Sequence, residues 1–301
     1  MLPGSGTAQV LMVNNGFLSR GTHADWYATT SETAVTPPVM CFVIRKDGRN
    51  YLWDLGMRSD LHNVGRTWST QPDVRLSLPR DLPPELAPAA VYLSHYHWDH
   101  SGDPLTVPPD VPIYVGRGTL QALKAGFDEY VGDQSTECVA RLSEMPEGSL
   151  QITNFPLKGH DVFGDGSFVI LPAPGHCPGH SVAVVRTTTG PDTYMVLGGD
   201  SGHHRSLYEP CPCHARVSTF GRRKLHGDPK ASLDHLSRLT GLHARDDTWV
   251  VLAHEAEVIA AGVPERQWLN DWKERGWKDK AAAVRAGEVA KGCWVDGTDG
   301  A

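Results

Sequence analysis

The chain has 301 residues, of which 40% are hydrophobic, so it can bury the core of one large domain or of two small ones. Its formal net charge of −7 gives no basic footprint for nucleic acid or for an anionic membrane. The first twenty residues lack a basic leader followed by an apolar core, and no apolar run approaches the roughly 18 residues of a membrane span. We therefore expect one domain over residues 1–301, a cytoplasmic location, and neither nucleic-acid nor membrane partners.

The predicted elements alternate between strands and loops, with helices mainly toward the end. Eight apolar segments are predicted strands, at 9–13, 39–44, 51–53, 91–93, 167–171, 181–186, 194–197 and 248–252. A turn at 46–50 makes the second and third strands a hairpin, and a polar connection with several prolines follows. Helices are predicted at 119–126 and 231–242. The domain core is expected over about 9–260, with a helical C-terminal tail over about 264–291.

Three imidazoles and a carboxylate follow the predicted strand at 91–93 within six positions. They are His95, His97, Asp99 and His100, in the spacing HxHxDH. Alternate side chains of an extended backbone share a face, so the first two histidines can reach one ion. Asp99 and His100 lie beyond a bend and can reach a neighbouring ion. The spacing predicts one metal site and favours a second beside it.

Three later apolar runs also end at a potential ligand. They lead to His176, Asp200 and His254. A buried sheet fixes the position of such residues while the strand ends stay accessible, which is why catalytic groups are often presented there. The downstream residues can therefore complete the metal site.

In this order the residues resemble the metallo-β-lactamase superfamily, whose motifs are an Asp after an early strand, HxHxDH, a later His, a later Asp and a last His. Asp54 matches the first motif, and the resemblance spans about residues 41–254. It implies an α+β fold, a four-layer αβ/βα sandwich of two mixed β-sheets flanked by helices, with the metals at one edge.

The resemblance also implies how the ligands divide between two metals. The first metal would have His95, His97 and His176, the second Asp99, His100 and His254, and both would share Asp200. Nitrogen and oxygen ligands without thiolate suit two Zn²⁺ ions, and manganese, iron or cobalt are chemically acceptable. Two such ions can lower the pKa of a bridging water and polarise a carbonyl, so the expected nucleophile is hydroxide.

The bridging carboxylate helps to choose among the subfamilies. Zinc β-lactamases lack it, whereas glyoxalase II, phosphodiesterase-like members and N-acyl homoserine lactonases have it. Residues 176–180, HCPGH, and 53–57, WDLGM, look most like the lactonases and the fungal hydrolases that open lactones or γ-lactams. The chain is therefore predicted to be a dinuclear metal-dependent hydrolase that opens a cyclic ester or amide of a small molecule.

Two alternatives stay open. A thioesterase of the glyoxalase II or polyketide-release kind would use the same ligands. A persulfide dioxygenase would bind one iron and leave most of the second site unused, whereas His100 and His254 are both present here. Metal analysis and a hydrolysis panel would separate these functions.

One position departs from the lactonase pattern. Lactonases carry a Tyr three residues after the bridging Asp, where it contacts the substrate, and this chain has His203 there. An imidazole can donate a hydrogen bond or act as a general acid near neutral pH. We therefore predict catalytic roles for Asp99, Asp200 and His203, with Asp99 or His203 handling the proton. Four further residues are predicted to orient the ligands or to contact substrate: Asp54, His180, His204 and Tyr208.

Two long segments are predicted to be pocket walls. Residues 16–38 precede the first hairpin, residues 201–229 follow the bridging Asp200, and both carry aromatic side chains. With the acidic net charge, these walls predict a neutral or weakly charged substrate that has an aromatic or acyl portion.

The six cysteines are scattered through a chain that does not look secreted, so reduced thiols are expected. Cys211 and Cys213, beside His214, could form a third metal site, but they lack a second pair of ligands at metal spacing. Cys177 directly follows the proposed ligand His176 and is expected to pack, not to bind metal.

Overall fold

The computed structural model describes residues 2–19, 21–60, 72–126, 130–152, 155–211 and 215–289. Its strands are β1 Gln9–Phe17, β2 Gly21–Thr22, β3 Ala34–Val35, β4 Pro38–Lys46, β5 Arg49–Trp53, β6 Asp73–Val74, β7 Pro88–Tyr92, β8 Ile113–Val115, β9 Leu142–Glu144, β10 His160–Asp161, β11 Phe168–Pro172, β12 Ser181–Thr188, β13 Thr193–Leu197 and β14 Thr248–Val251. Its α-helices are α1 His23–Trp26, α2 Trp98–Ser101, α3 Thr119–Ala125, α4 Thr136–Ala140, α5 Pro229–His243, α6 Ala256–Ala260 and α7 Trp277–Val289.

Two mixed sheets form the centre of the molecule. The larger has seven strands in the order β6-β1-β4-β5-β7-β8-β9, and the smaller has five in the order β10-β11-β12-β13-β14. In the larger sheet β5, β7, β8 and β9 run parallel, and in the smaller sheet β13 and β14 do. The other neighbouring strands of the two sheets are antiparallel. The predicted pair of mixed sheets is confirmed.

Alternation along the strands explains how the sheets pack. On β1, Val10 and Met12 belong to the core between the sheets, whereas Leu11 and Val13 belong to the opposite face. Across that core, Trp53 and Tyr92 of the larger sheet pack edge-on against Phe168 of the smaller, with ring centroids 6.5 and 5.6 Å apart. Because both faces of each sheet are apolar, each sheet needs a second covering layer.

Helices supply that layer on both sides. Leu236, Leu239 and Leu242 of α5, spaced by one helical turn, are buried in the cluster on the outer face of the smaller sheet. Leu123 of α3 joins Val91 in the cluster on the outer face of the larger sheet. Burying each of these leucines contributes about 1.5 to 3 kcal/mol before entropic costs. The resulting order of helix, sheet, sheet and helix is the predicted α+β sandwich.

The C-terminal segment differs from the predicted helical tail over about 264–291, because α7 begins only at Trp277. The residues before it pair with β1: the N–H of Arg266 donates to the carbonyl of Met12 (2.9 Å), and that of Leu269 donates to Val10 (2.7 Å). This part of β1 is otherwise an open sheet edge. The backbone hydrogen bonds that cover this edge outweigh the local sequence preference for a helix. No helix within the described ranges is both long and apolar enough to cross a membrane.

Candidate metal centre

The candidate centre lies where strands of both sheets end. Parallel strands present their carboxyl ends at one edge, and here β7 leads to His95, β13 to Asp200 and β14 to His254. The loop after β11 leads to His176. The structure brings all seven predicted ligands to this edge, each with no more than 7% of its surface exposed.

His95, His97 and His176 form a first group. The Nε2 atom of His176 lies 3.2 Å from Nε2 of His95 and 3.0 Å from Nδ1 of His97. Burial lowers the pKa of His95 and of His176 well below the ordinary value, which keeps both rings neutral. Neutral imidazoles whose nitrogens converge in this way offer their lone pairs to a cation, as metal binding requires.

Asp99, His100, Asp200 and His254 form a second group. Nε2 of His100 and Nε2 of His254 each lie 3.1 Å from Oδ1 of Asp200. Burial acts to lower the pKa of both imidazoles, but the neighbouring carboxylates, Asp200 foremost, outweigh it and raise the pKa. These buried carboxylates therefore require positive charge beside them, which a divalent cation would supply.

Asp200 faces both groups. Its Oδ1 points to the second group, and its Oδ2 lies 3.5 Å from Nε2 of His176 and 3.7 Å from Nε2 of His95. Burial acts to raise its pKa, but the imidazoles, His100 first, hold that pKa well below the usual range. Oδ1 is buried and accepts no well-aligned hydrogen bond from a described residue. An ionised oxygen left without such a partner suits a metal ligand, and its position suits the predicted bridge.

Asp54 lies behind the second group, as predicted for an orienting residue. It follows β5 with a φ of 66°, a left-handed conformation that is unusual for Asp. Nδ1 of His100 donates to its Oδ2 (2.9 Å), and the Ser94 hydroxyl donates to the same oxygen (2.8 Å). With Nδ1 occupied by a carboxylate, His100 presents Nε2 to the centre.

His180 uses both ring nitrogens in holding backbone. Its Nδ1 donates to the carbonyl of Ala173 (2.9 Å), and its Nε2 accepts the N–H of Asp200 (3.1 Å). Burial lowers its pKa to about 4, so the ring is neutral. This geometry fits the predicted orienting role and leaves no nitrogen for a metal.

His203 lies directly against the centre. Its Nε2 is 3.0 Å from Oδ2 of Asp200, and its ring stacks between those of Trp26 and His254, with centroids 5.6 and 5.5 Å away. His203 also forms a possible ligand group with His176 and Asp200. The position is compatible with a hydrogen bond to substrate and with metal binding, so the catalytic role stays a prediction.

His204 and Tyr208 differ from the expectation that they contact ligands or substrate. Nδ1 of His204 accepts the N–H of Ser206 (3.1 Å), and its ring stacks on that of Tyr27. The Tyr208 hydroxyl donates to the buried carboxylate of Glu255. Tyr208 directly follows a 3-10 helix at Arg205–Leu207 and lies in the apolar cluster that includes α5. Its short spacing from Asp200 could not reveal this placement.

Two cavities adjoin the centre. A small pocket of ≈ 100 Å³ is lined by His97, Asp99, His176, Asp200 and His203, together with Leu18, Ser19, Trp26, Trp98, Tyr130, Arg223 and Leu225. A groove of ≈ 680 Å³ lies beside it, and Tyr130, His176 and Leu225 line both. The centre therefore opens toward a much larger space than its own pocket.

Trp26 is one of the aromatic side chains that the sequence analysis expected in the pocket wall, whereas Arg223 and Leu225 were missed. The two long segments meet where Tyr27 pairs with Phe220. His226 also approaches: its ring centroid is 5.0 Å from that of His176, and its buried Nε2 has no partner among the described residues. Such contacts between distant loops have no local sequence signal.

The cysteines divide between those near the centre and those elsewhere. Sγ of Cys177 lies within 4.8 Å of the possible ligand atoms of the first group, closer than simple packing predicted. Cys41 and Cys138 are free thiols, and Cys177 and Cys211 are likewise buried. Cys213 and His214 of the possible third site lie outside the described residues, as does Cys293.

Known proteins resemble this chain in sequence. No protein-family model matches it. The γ-lactamase MBL2 of Gibberella moniliformis is 33% identical over 178 residues, covering 54% of this chain and 74% of that protein. The γ-lactamase FDB1 of Fusarium pseudograminearum is 28% identical over 331 residues, covering 93% and 77%. The cytochrome P450 monooxygenase mpaDE of Penicillium roqueforti is 30% identical over 281 residues, covering 81% of this chain but only 32% of that protein. The chain thus spans about a third of the length of this last relative.

Solved structures resemble it in fold. A quorum-quenching N-acyl homoserine lactone lactonase matches with a TM-score of 0.63 at 17% identity, over 88% of this chain and 98% of that one. AidC, a dizinc quorum-quenching lactonase, matches with a TM-score of 0.56 at 13% identity, over 85% and 90%. At these identities the likeness shows the fold alone.

Proposed function

Because this chain belongs to the metallo-β-lactamase superfamily, we propose that it is a dinuclear metal-dependent hydrolase that opens a cyclic ester or amide, a lactone or a γ-lactam. The observation that carries the proposal is the position of Asp200 between two complete ligand groups. One carboxylate oxygen faces each group, an arrangement that a single metal would not need. The γ-lactamases among the relatives support the choice of a cyclic amide or ester.

We propose two Zn²⁺ ions, held by His95, His97 and His176 on one side and by Asp99, His100 and His254 on the other, with Asp200 shared. When bound, such a pair supplies a water-derived nucleophile at neutral pH and polarises the reacting carbonyl. Manganese, iron or cobalt would suit the same nitrogen and oxygen ligands.

The remaining residues of the small pocket position the substrate. Trp26 and Trp98 provide apolar walls for the ring, and His203 lies across the pocket beside Asp200. In that position His203 can donate a hydrogen bond to the leaving alkoxide or amine, and Asp99 can take part in the same proton transfer. Asp54 and His180 keep the ligand side chains and the Asp200 backbone in place.

Metal analysis and a substrate panel test the proposal. Protein purified in metal-replete medium is expected to hold about two ions per chain and to hydrolyse lactones or γ-lactams in preference to phosphodiesters. A ratio that stays near one ion per chain would contradict the dinuclear assignment. A dinuclear protein that hydrolyses only phosphodiesters would contradict the substrate class.

A thioesterase is the second candidate, because the groove of ≈ 680 Å³ has room for an acyl chain next to the centre. Thioesters in the same panel separate the two functions. A persulfide dioxygenase is disfavoured by the complete second ligand group.

A further inference from the structure

The groove is where a substrate can extend beyond the reacting ring. The small pocket, at ≈ 100 Å³, has the volume of about three waters and so holds little more than one small ring. The groove is several times larger and begins at the shared wall of Tyr130, His176 and Leu225. A ring that reacts at the centre can therefore carry a large substituent past this wall.

The floor of the groove is apolar. Met145 and Ile170 line it and are buried, Leu225 is partly buried, and Leu157 lines it although 44% of its surface is exposed. An exposed leucine beside a cavity is typical of a ligand site, because it gains burial when an apolar group binds. The floor thus suits an aliphatic or aromatic substituent.

The charge of the groove is opposite to that of the whole protein. Arg117, Lys158 and Lys224 line it from three separate loops, and none forms an ion pair with a described residue. Asp228 is the one carboxylate among the described lining residues, and it already accepts the N–H of Ala231 (3.0 Å) at the start of α5. Three cations that have no ion-pair partner among the described residues, gathered around one apolar groove of an acidic chain, favour an anionic ligand there.

We propose that the groove is a substrate subsite for an apolar substituent that carries a carboxylate. The inference rests on the proposed function and narrows it to lactones or γ-lactams that bear an acidic side chain. The substituent lies on the apolar floor, and its carboxylate pairs with Lys158, Lys224 or Arg117 at the rim. This charge preference could not be predicted from the acidic composition of the chain.

A matched pair of substrates tests the subsite. One is a γ-lactone whose side chain ends in a carboxylate, and the other is its methyl ester. We expect the wild type to show a KM for the acid lower by about 3- to 10-fold, the range expected for a few exposed ion pairs. The double variant Lys158→Glu/Lys224→Glu should reverse this preference, so that the KM for the acid rises above that for the ester. Lys124→Glu, an exposed position on α3 that does not line the groove, should leave the preference intact.

A binding measurement separates this inference from the proposed function. The ligand is the ring-opened form of the γ-lactone that carries the carboxylate. Titrated calorimetrically into zinc-loaded protein, it should bind the wild type and fail to bind the double variant. If lactones are opened but acid and ester have equal KM values, the subsite is wrong and the hydrolase stands. If no cyclic ester or amide is opened but the acid binds and the double variant abolishes binding, the subsite stands and the proposed reaction is wrong. Binding that persists in the double variant would assign the acid to the metals and overturn the subsite.

Discussion

The two sides of the candidate centre are held in place by different means. On the sheet side the ligands follow strand ends and are oriented by hydrogen bonds, as when Nδ1 of His254 donates to the carbonyl of Pro38 (2.7 Å). On the loop side Trp26 and His203 are held by ring stacking and by the contact between two long segments. Hydrogen bonds to buried backbone fix the orientation of a side chain, whereas stacked rings can slide past each other. This difference supports the proposal that the sheet side holds the metals and that the loop side accommodates substrate.

Removal of the shared carboxylate should have the largest effect. Asp200→Ala deletes the carboxylate whose two oxygens face the two ligand groups. We expect the metal content to fall below two per chain and turnover to fall by at least about 10³-fold, since the metals contribute several kcal/mol and each 1.36 kcal/mol is tenfold. Metal analysis and kcat/KM measure both. Asp234→Ala, an exposed position on α5, is the control, and normal turnover without Asp200 would refute the bridge.

His203→Ala tests the loop side by the same two measurements, metal content and turnover. If His203 serves the reacting group, both metals should remain and the rate should fall by about 10²- to 10⁴-fold, the range of a positioned proton donor. His203→Tyr should recover part of the rate toward lactones, because a phenol can donate the same hydrogen bond. Loss of metal from His203→Ala would instead assign His203 to the ligands, and an unchanged rate would leave it no role in the reaction.

Sequence and structure agree best where local pattern and strand ends determine position. HxHxDH and the three later strand ends predicted the seven candidate ligands that meet at this edge, and the resemblance to the superfamily implied the two mixed sheets. On the loop side the segments and the position of His203 were predicted, but contacts such as Tyr27 with Phe220 were not, because they join residues far apart in the chain. The prediction of a helical tail was wrong before Trp277 for a similar reason, because these residues pair with the open edge of β1, which is a tertiary effect.

An intermediate effect is expected at Asp54, which supports the sheet side without facing the metals. In Asp54→Asn one oxygen becomes an NH₂ group, which cannot accept the hydrogen bonds that His100 and Ser94 donate to Oδ2. Loss of such a support typically costs about 10- to 100-fold in metal affinity or activity. Competition with a chelator of known affinity measures the metal affinity, and Asp234→Asn is the matched control. An unchanged metal affinity and rate would mean that the strand end alone orients His100.

The smallest effect concerns the link from α5 to the turn that contains Asp200. Nε2 of His235 donates to the hydroxyl of Ser201 (3.1 Å), which donates to the carbonyl of Gly198 (2.7 Å). This link joins the helix to the sheet side, so His235→Gln, which keeps an N–H donor, should change turnover at neutral pH by less than about tenfold. Its larger effect should be on how stability depends on pH.

Burial, with His180 and Arg238 nearby, lowers the pKa of His235 to about 3. The unfolded chain takes up this proton below about pH 6.5 and the folded protein does not, so the unfolded state binds more protons between those values. The free energy of unfolding should therefore fall as the pH falls, by about 1.4 kcal/mol per pH unit below 6.5 from this group.

His235→Gln should make urea-unfolding free energies between pH 7 and 5 decline less steeply than in the wild type. His243→Gln, at the far end of α5 where burial lowers the pKa to about 2, should flatten the slope similarly without affecting turnover. Parallel slopes for wild type and His235→Gln would show that His235 is protonated in the folded protein, and the hydrogen bond to Ser201 would then not depend on a neutral ring.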